Sequence, residues 1–118
     1  MVKKTIGQDG EQAAVIFLKN KGFRIIKTNY RVAGAEVDII ALTGTILCFI
    51  EVKTRKSSDY GLPEAFVHRG KQRKIIRAAK FFSSRKAYQE FLVRFDVISI
   101  IRDEKGMAFD HLENAFEE

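Results

Sequence analysis

The sequence predicts a single-domain α/β sandwich, in which a mixed central β-sheet is flanked by α-helices. Segments with helical or strand periodicity follow one another in the order helix, strand, hairpin, helix, strand, strand, which suits that layered architecture. Two runs, residues 36–42 and 46–54, are apolar on both faces, as buried central strands are. The 118 residues, 46% of them apolar, suit one packed domain spanning residues 1–118.

The first helix is predicted over residues 11–21, where Ala14, Phe17 and Leu18 recur at helical spacing and Gly22 follows as a C-terminal cap. Residues 23–27 suggest a short strand. Residues 29–35 are polar and contain Gly34, so they are predicted to form a loop.

The hairpin is the most specific structural prediction. Glycine at the first central position favours a two-residue type II′ turn, so Gly44 and Thr45 are expected to be the turn residues. The resulting register pairs Thr43 with Ile46, Leu42 with Leu47, Ile40 with Phe49, Asp38 with Glu51, and Glu36 with Lys53.

The remaining elements follow from breakers and periodicity. Gly61 and Pro63 predict a loop over residues 57–63. A helix is expected over residues 71–84, with Ile75, Ile76, Ala79 and Phe82 on one side, and a shorter helical piece over 87–92. Strands are expected over 94–101 and 107–112, Asp96 supporting the sheet from the first of these, and the acidic end, 113–118, is expected to fray.

One end of the hairpin collects charge on a single face. Side chains two apart on a strand point the same way, so Glu36 and Asp38 are expected to lie across from Lys53 and Glu51, while Val37 belongs to the opposite, core face. Carboxylates facing each other repel, and the adjoining apolar surface reduces screening. Lys53 and a divalent cation would compensate, and oxygen ligands suit Mg²⁺ or Mn²⁺.

Such a site predicts phosphodiester chemistry. The metal would polarise the phosphodiester and activate a water, while Lys53 would orient that water or stabilise the transition state. Glu11 would add a ligand if the first helix packs beside the hairpin. The alternative is a solvated strand end with weak surface ion pairs. Turn chemistry, which independently places Asp38 on the same face, favours the site, although a one-residue slip would remove that support.

Basic residues follow the hairpin closely. Eight lie between Phe66 and Gln89 with no acidic residue among them, and the formal net charge of the chain is +6. Such clustering favours contacts with a nucleic-acid backbone over base reading, although a solvated helix face is the simpler alternative. Tyr30, Tyr60 and Phe66 would stack on an unpaired base or simply pack. The expected phosphate-binding residues are Arg55, Lys56, Arg69, Lys71, Arg73, Lys74 and Arg77.

Several segments along the chain resemble the PD-(D/E)XK nuclease superfamily, and more closely the small bacterial YraN-like family, which is similar to Holliday-junction resolvases. The matching segments are Gly7-Gln8-Asp9-Gly10-Glu11, Asn29-Tyr30-Arg31, Gly34-Ala35-Glu36-Val37-Asp38-Ile39-Ile40-Ala41, Phe49-Ile50-Glu51-Val52-Lys53-Thr54-Arg55, Lys71-Gln72, Ala78-Ala79 and Arg94-Phe95-Asp96-Val97.

The resemblance implies a restriction-endonuclease-like sandwich. It places Asp38, Glu51 and Lys53 at the catalytic positions, and Asp38, Glu51 and Glu11 around the metal, with Glu36 supporting them. The chain departs from the family pattern at Ala35, where glycine is usual.

The expected function is therefore metal-dependent hydrolysis of DNA, including branched or structured DNA. A nucleic-acid-binding module with this fold and little or no catalysis is the first alternative, and an interaction protein for an acidic partner is the second. DNA is favoured over RNA, and a homodimer would suit a symmetric junction.

Other classes of function are disfavoured by the sequence. One cysteine and two histidines, 43 residues apart, argue against a zinc site and exclude an internal disulfide. No apolar run resembles a signal peptide or a membrane span, so a cytoplasmic protein without membrane contact is expected.

Overall fold

The computed structural model describes residues 6–56 and 67–118, which form a five-stranded sheet with a helix on each face. Strand order follows the sequence, β1-β2-β3-β4-β5. Among these strands β3 and β4 run parallel, and the other neighbours are antiparallel. The mixed sheet between helices confirms the predicted α/β sandwich and its order of elements. The elements are α1 (Ile6–Asn20), β1 (Arg24–Val32), β2 (Ala35–Thr43), β3 (Ile46–Lys56), α2 (Arg69–Ser83), a short 3₁₀ helix (Lys86–Tyr88), β4 (Leu92–Asp103) and β5 (Gly106–Phe116).

Each face of the sheet buries its own apolar core. The α1-side core contains Ala14 and Leu18 of the helix, and the α2-side core contains Ile75 and Phe82. Neither α1 nor α2, the two α-helices among the described residues, is long and apolar enough to cross a membrane. Sheet residues of the α1-side core include Ile39, Ala41, Cys48, Ile50, Ile98 and Ile100, and those of the α2-side core include Val37, Ile40, Leu47, Phe49, Phe95 and Val97.

The inner register of the β2–β3 hairpin is as predicted. Thr43 pairs with Ile46, and the ladder continues through Ile40 and Phe49. Gly44 has a φ of +56°, a conformation that glycine adopts without strain. Thr45 is not among the described non-glycine residues with positive φ, so the turn matches the predicted type II′ geometry.

The outer register is different from the prediction. The β2–β3 ladder ends at Ile39 and Ile50, so the expected pairs of Asp38 with Glu51 and of Glu36 with Lys53 do not form. The two strands diverge because the start of β2 pairs with β1 while the end of β3 pairs with β4. Val37 was also placed on the wrong face, since it packs in the α2-side core while Ile39 packs in the α1-side core.

The polar loop predicted over residues 29–35 is also wrong. Strand β1 runs to Val32, and Ala33 and Gly34 form a two-residue turn with φ values of +49° and +76°. Positive φ at both positions is the signature of a type I′ hairpin turn. Ala35, the departure from the family pattern, pairs regularly with Val32 and needs no positive φ.

The C-terminal half is more regular than predicted. Helix α2 and its apolar side are confirmed, whereas the helical piece over residues 87–92 shrinks to a single 3₁₀ turn before β4 begins at Leu92. Strand β5 extends to Phe116, which is buried and stacks on Phe95 with ring centroids 5.2 Å apart. Residues 113–116 are therefore strand, and the expected fraying was wrong for them.

Candidate active site

The candidate site lies where β2 and β3 separate. Oδ2 of Asp38 accepts a hydrogen bond of 2.8 Å from the backbone N–H of Val52. This side-chain contact joins the two strands just beyond their last backbone pair, Ile39 with Ile50. This bond fixes one oxygen of a carboxylate that is 9% exposed. Burial raises the pKa of Asp38, opposed by the Val52 hydrogen bond and by the charge of Lys71.

Glu51 is the least satisfied charged group at this fork. Its side chain is only 6% exposed, and Oε1 accepts a 2.5 Å hydrogen bond from Nζ of Lys71. Oε2 is buried and has no hydrogen-bond partner among the residues described. Burial, followed by repulsion from Asp38, raises the pKa of Glu51 to about 7, although Lys71 and Lys53 oppose the rise.

Glu11 and Glu36 bring two further carboxylates to Asp38. One oxygen from each of the three residues lies within 4.8 Å of the others. Burial and the neighbouring Asp38 raise the pKa of Glu11. Glu36 is more exposed, at 40% of its side chain, and also accepts a 3.2 Å bond from Nε of Arg31. Glu36 therefore lies beside Glu11 and Asp38 and could itself offer an oxygen to a cation. The family resemblance had given it only the role of supporting the metal ligands.

Helix α1 reaches the site through a close contact with β3. A Cβ at Gly10 would lie 2.0 Å from Oγ1 of Thr54, so only glycine fits there. Glu11 follows Gly10 directly, which explains how the helix brings its acid to the hairpin as predicted.

Asn29 is a site residue that the sequence analysis did not identify. With its amide nitrogen turned toward the acids, it donates to Oε2 of Glu11 at 3.0 Å and to Oε1 of Glu36 at 3.3 Å. Its φ of +52° is one that asparagine tolerates better than most residues. The match of Asn29-Tyr30-Arg31 to the family could have pointed to Asn29, but this segment was predicted to be a polar loop and was assigned no function.

Lys53 and Lys71 supply positive charge from two different elements. Burial lowers the pKa of Lys53, and the charges of Glu51 and Lys71 act on it in opposite directions. Burial lowers the pKa of Lys71. The hydrogen bond to Glu51 and the charges of the nearby carboxylates together outweigh burial, so the pKa of Lys71 is raised. The predicted trio of Asp38, Glu51 and Lys53 therefore meets at the fork, joined by a lysine that the sequence assigned to phosphate contacts.

A cleft of about 550 Å³ opens over the fork. Its wall includes Glu36, Asp38 and Glu51 on the sheet side and Gly70, Lys71 and Lys74 at the start of α2. The first turn of α2, which lines the cleft at Gly70 and Lys71, has no acidic residue to offset the partial positive charge of the helix start.

The other predicted phosphate-binding residues lie outside the cleft wall. Arg69, Arg73 and Arg77 are exposed on α2, and Arg55 and Lys56 lie at the end of β3. Tyr30 is buried with its ring 5.3 Å from that of Phe82, so of the two roles considered for it, base stacking or packing, the structure shows packing. Tyr60, Phe66 and the loop predicted over residues 57–63 lie outside the described residues.

The donor set at the fork suits a hard divalent cation. It offers carboxylate oxygens only, with neither thiolate nor imidazole, and one buried oxygen of Glu51 lacks a partner among the described atoms. Mg²⁺ and Mn²⁺ prefer such ligands.

Comparison with known proteins gives the same family as the motifs. Residues 10–100 match the family described as "Uncharacterised protein family UPF0102". The chain belongs to the UPF0102 family. The YraN-like resemblance found in the sequence is thereby confirmed.

Full-length relatives support this membership. A UPF0102 protein of Alkaliphilus oremlandii is 44% identical over 117 residues, covering 98% of this chain and 100% of the relative. A UPF0102 protein of Dictyoglomus thermophilum is 44% identical over 118 residues, with the same coverage. A UPF0102 protein of Geobacter sulfurreducens is 43% identical over 115 residues, covering 97% of this chain and 90% of the relative.

Proposed function

We propose that this UPF0102 protein is a metal-dependent nuclease that hydrolyses phosphodiester bonds in DNA, including branched or structured DNA. The observation that carries the proposal is the convergence of Glu11, Glu36, Asp38 and Glu51 on the strand fork under a cationic helix start. Four carboxylates beside an apolar core repel one another, and a bound cation would relieve that repulsion. Such clusters of perturbed acids are typical of catalytic sites.

Asp38 and Glu51 would hold Mg²⁺ or Mn²⁺, with Glu11 and Glu36 as further oxygen donors. When bound, the ion would polarise the phosphodiester and lower the pKa of a coordinated water. Val52 orients Asp38 through its backbone N–H, and Asn29 orients Glu11 and Glu36, so the ligands are held before the substrate arrives.

Lys53 would act on the reacting phosphate. It lies two residues after Glu51 on β3, where an ammonium can orient the attacking water or stabilise charge on the phosphorane-like transition state. Lys74 and the exposed arginines of α2 would bind neighbouring phosphates and position the strand without reading its sequence.

DNA is proposed over RNA because of the junction-resolvase resemblance, and the same resemblance suggests a homodimer for a symmetric junction. We propose a cytoplasmic site of action with nucleic acid as the partner, in keeping with the chain's net charge of +6.

The test is cleavage of end-labelled single-stranded, duplex, flap and four-way DNA by pure protein, with Mn²⁺, with Mg²⁺ and with chelator. Asp38→Asn and Glu51→Gln are expected to lose at least about a hundredfold in rate, since each removes a charged metal ligand. Glu104→Gln, the same kind of change in the exposed β4–β5 turn, is the matched control and should cut like the parent.

Two results would contradict the proposal in different ways. Cutting that survives both Asp38→Asn and Glu51→Gln would show that the activity comes from elsewhere. Absence of cutting, with binding that weakens steeply as salt rises and is equal in all four proteins, would identify the nucleic-acid-binding module instead.

A further inference from the structure

Lys71 occupies an unusual place among the basic residues of α2. It belongs to the first turn of the helix, and its side chain, 51% exposed, crosses the cleft wall to reach Glu51 on β3. Arg69, Arg73 and Arg77 are exposed on the same helix, and Lys74 lines the cleft without an ion pair to Glu51 in the described part of the chain. Lys71 is therefore distinguished from its neighbours by contact with a proposed metal ligand.

The two oxygens of Glu51 have different surroundings. Oε1 receives the ammonium of Lys71, whose exposed half opens to the cleft. Oε2 is buried without a partner among the described groups. A cation held by Oε2 would therefore share a single carboxylate with the ammonium of Lys71 on Oε1.

A divalent cation and an ammonium cannot both bind the two oxygens of one carboxylate closely without cost. They would lie within a few ångströms of each other, where like charges repel strongly even near solvent. Lys71 has a flexible four-carbon stem and can leave, but its charge then needs an anionic partner. A phosphate of a nucleic acid in the cleft is the partner that the proposed function supplies.

We infer that Lys71 competes with the divalent cation for Glu51 and, once displaced, binds a phosphate of the nucleic acid. The inference rests on the proposed function, because it assigns a role to Lys71 at the same site. It predicts that metal and DNA each strengthen the binding of the other beyond their direct contact, since metal releases Lys71 and DNA receives it.

A different role for Lys71 predicts the opposite effect on metal binding. If Lys71 instead held Glu51 in the orientation that the metal requires, its removal would weaken metal binding. The sign of the change in affinity therefore decides between competition and orientation.

The experiment is a Mn²⁺ titration of the full chain without DNA, with free Mn²⁺ read from its electron paramagnetic resonance signal. Lys71→Met is expected to lower the Kd for Mn²⁺ at least about tenfold, as expected when a positive charge beside a divalent ion is removed. Lys105→Met is the matched control, because it removes the same charge from the exposed β4–β5 turn, and it should stay within about threefold of the parent. Lys71→Gln repeats the test with a polar side chain, and thermal melts verify that every variant is folded.

A second titration tests the fate of the displaced lysine. A duplex with non-hydrolysable phosphorothioate linkages is added, and the Kd for Mn²⁺ is measured again. DNA should improve the affinity of the parent and of Lys105→Met for Mn²⁺ at least about fivefold more than it improves that of Lys71→Met.

The outcomes separate this inference from the proposed function. An unchanged or weaker Kd in both Lys71 variants, with Mn²⁺ binding and cutting retained by the parent, overturns the role of Lys71 and leaves the nuclease proposal intact. Tighter Mn²⁺ binding in Lys71→Met supports the competition even if the parent cuts no DNA. No Mn²⁺ binding by parent or variants overturns both.

Discussion

Two buried carboxylates on neighbouring strands show how this fold treats charge. Glu51 lies in β3 and Asp96 in β4, one residue apart in the parallel register, since Asp96 pairs with Ile50 and Glu51 with Val97. Asp96 is fully buried and Glu51 is 6% exposed. Similar burial therefore leaves their hydrogen-bond partners as the main difference between them.

Asp96 is satisfied from three directions. Arg94 donates to both of its oxygens at 2.8 and 2.9 Å, His111 lies 2.9 Å from Oδ2, and the backbone N–H of Asn114 donates to Oδ1 at 3.0 Å. Lys21 donates to Nδ1 of His111 at 2.8 Å, so the hydrogen of that imidazole lies on the nitrogen that faces Asp96. Burial alone would raise the pKa of Asp96, but these hydrogen bonds outweigh it and the pKa is lowered.

Asp96 also holds an irregularity of the sheet together. The β4–β5 register shifts between Phe95 and Val97, and Asn114, opposite the shift, has a φ of +53°. Oδ1 of Asp96 accepts a hydrogen bond from the backbone N–H of Asn114, which lies at this irregularity. Asp96 thus supports the sheet, as its place in a predicted strand suggested.

Glu51 contrasts with Asp96 in each respect. In the described part of the chain it has an ion pair with Lys71 and an oxygen without a partner, and its pKa is raised to about 7. A buried carboxylate with a complete hydrogen-bond set stabilises a fold, whereas one left incomplete beside a cleft is a candidate for ligand binding.

The largest expected effect is on stability at Asp96. Asp96→Ala should lower the free energy of unfolding by about 3–5 kcal/mol, because the half-buried Arg94 loses both hydrogen bonds to the carboxylate and the Asn114 N–H loses its acceptor. Urea denaturation measures the loss. Asp110→Ala, an exposed acid on β5, is the control and should change stability by no more than about 0.5 kcal/mol. A cost below about 1 kcal/mol at Asp96 would remove the basis of the comparison.

A smaller effect is expected where α1 touches the site. Gly10→Ala should cost about 1–3 kcal/mol, because its Cβ overlaps Thr54 and forces the helix away from β3. Glu11 should move with the helix, so Mn²⁺ binding should weaken as well. Gly70→Ala is the control, since a Cβ there meets nothing within 4 Å and alanine favours a helix. Equal stability of both variants would contradict the close packing at Gly10.

The sequence predicted the parts of this fold that are set locally. The register at Gly44 follows from a two-residue turn and its flanking apolar residues, and the alternation along β3 assigned Phe49 and Ile50 to opposite cores. The apolar side of α2 followed from its own periodicity in the same way.

Long-range contacts explain what the sequence did not predict. Beyond the fork, β2 stays paired with β1 and β3 stays paired with β4, and these partners lie outside the hairpin whose register was predicted. Asn29 lies in a strand despite its positive φ, since pairing with β2 overrides local preference. Lys71 was indistinguishable from the other basic residues of its run, because its partner Glu51 is 20 residues away in the sequence.

The last prediction concerns the cost of ionising Glu51. Its pKa in the folded chain, about 7, exceeds the ordinary value of 4.5, so its ionisation destabilises the fold progressively as pH rises from 4.5 to 7. Glu51→Gln removes that penalty, which already includes the attraction of Lys71 and is at most ~3 kcal/mol, so a gain on the order of 1 kcal/mol or more is expected at pH ~8 and none at pH ~5.

Urea denaturation of parent and Glu51→Gln at both pH values, with chelator present, measures this difference. Asp96→Asn should instead lose stability by a similar amount at both pH values, because a lowered pKa gives stability that is fully present above the ordinary aspartate value of 3.8 and is lost only below it. A Glu51→Gln protein that is less stable than the parent at the higher pH would mean that the Lys71 ion pair outweighs the burial of Glu51. Glu51 would then resemble Asp96 as a structural acid, and the contrast between the two strands would no longer point to the fork as the functional site.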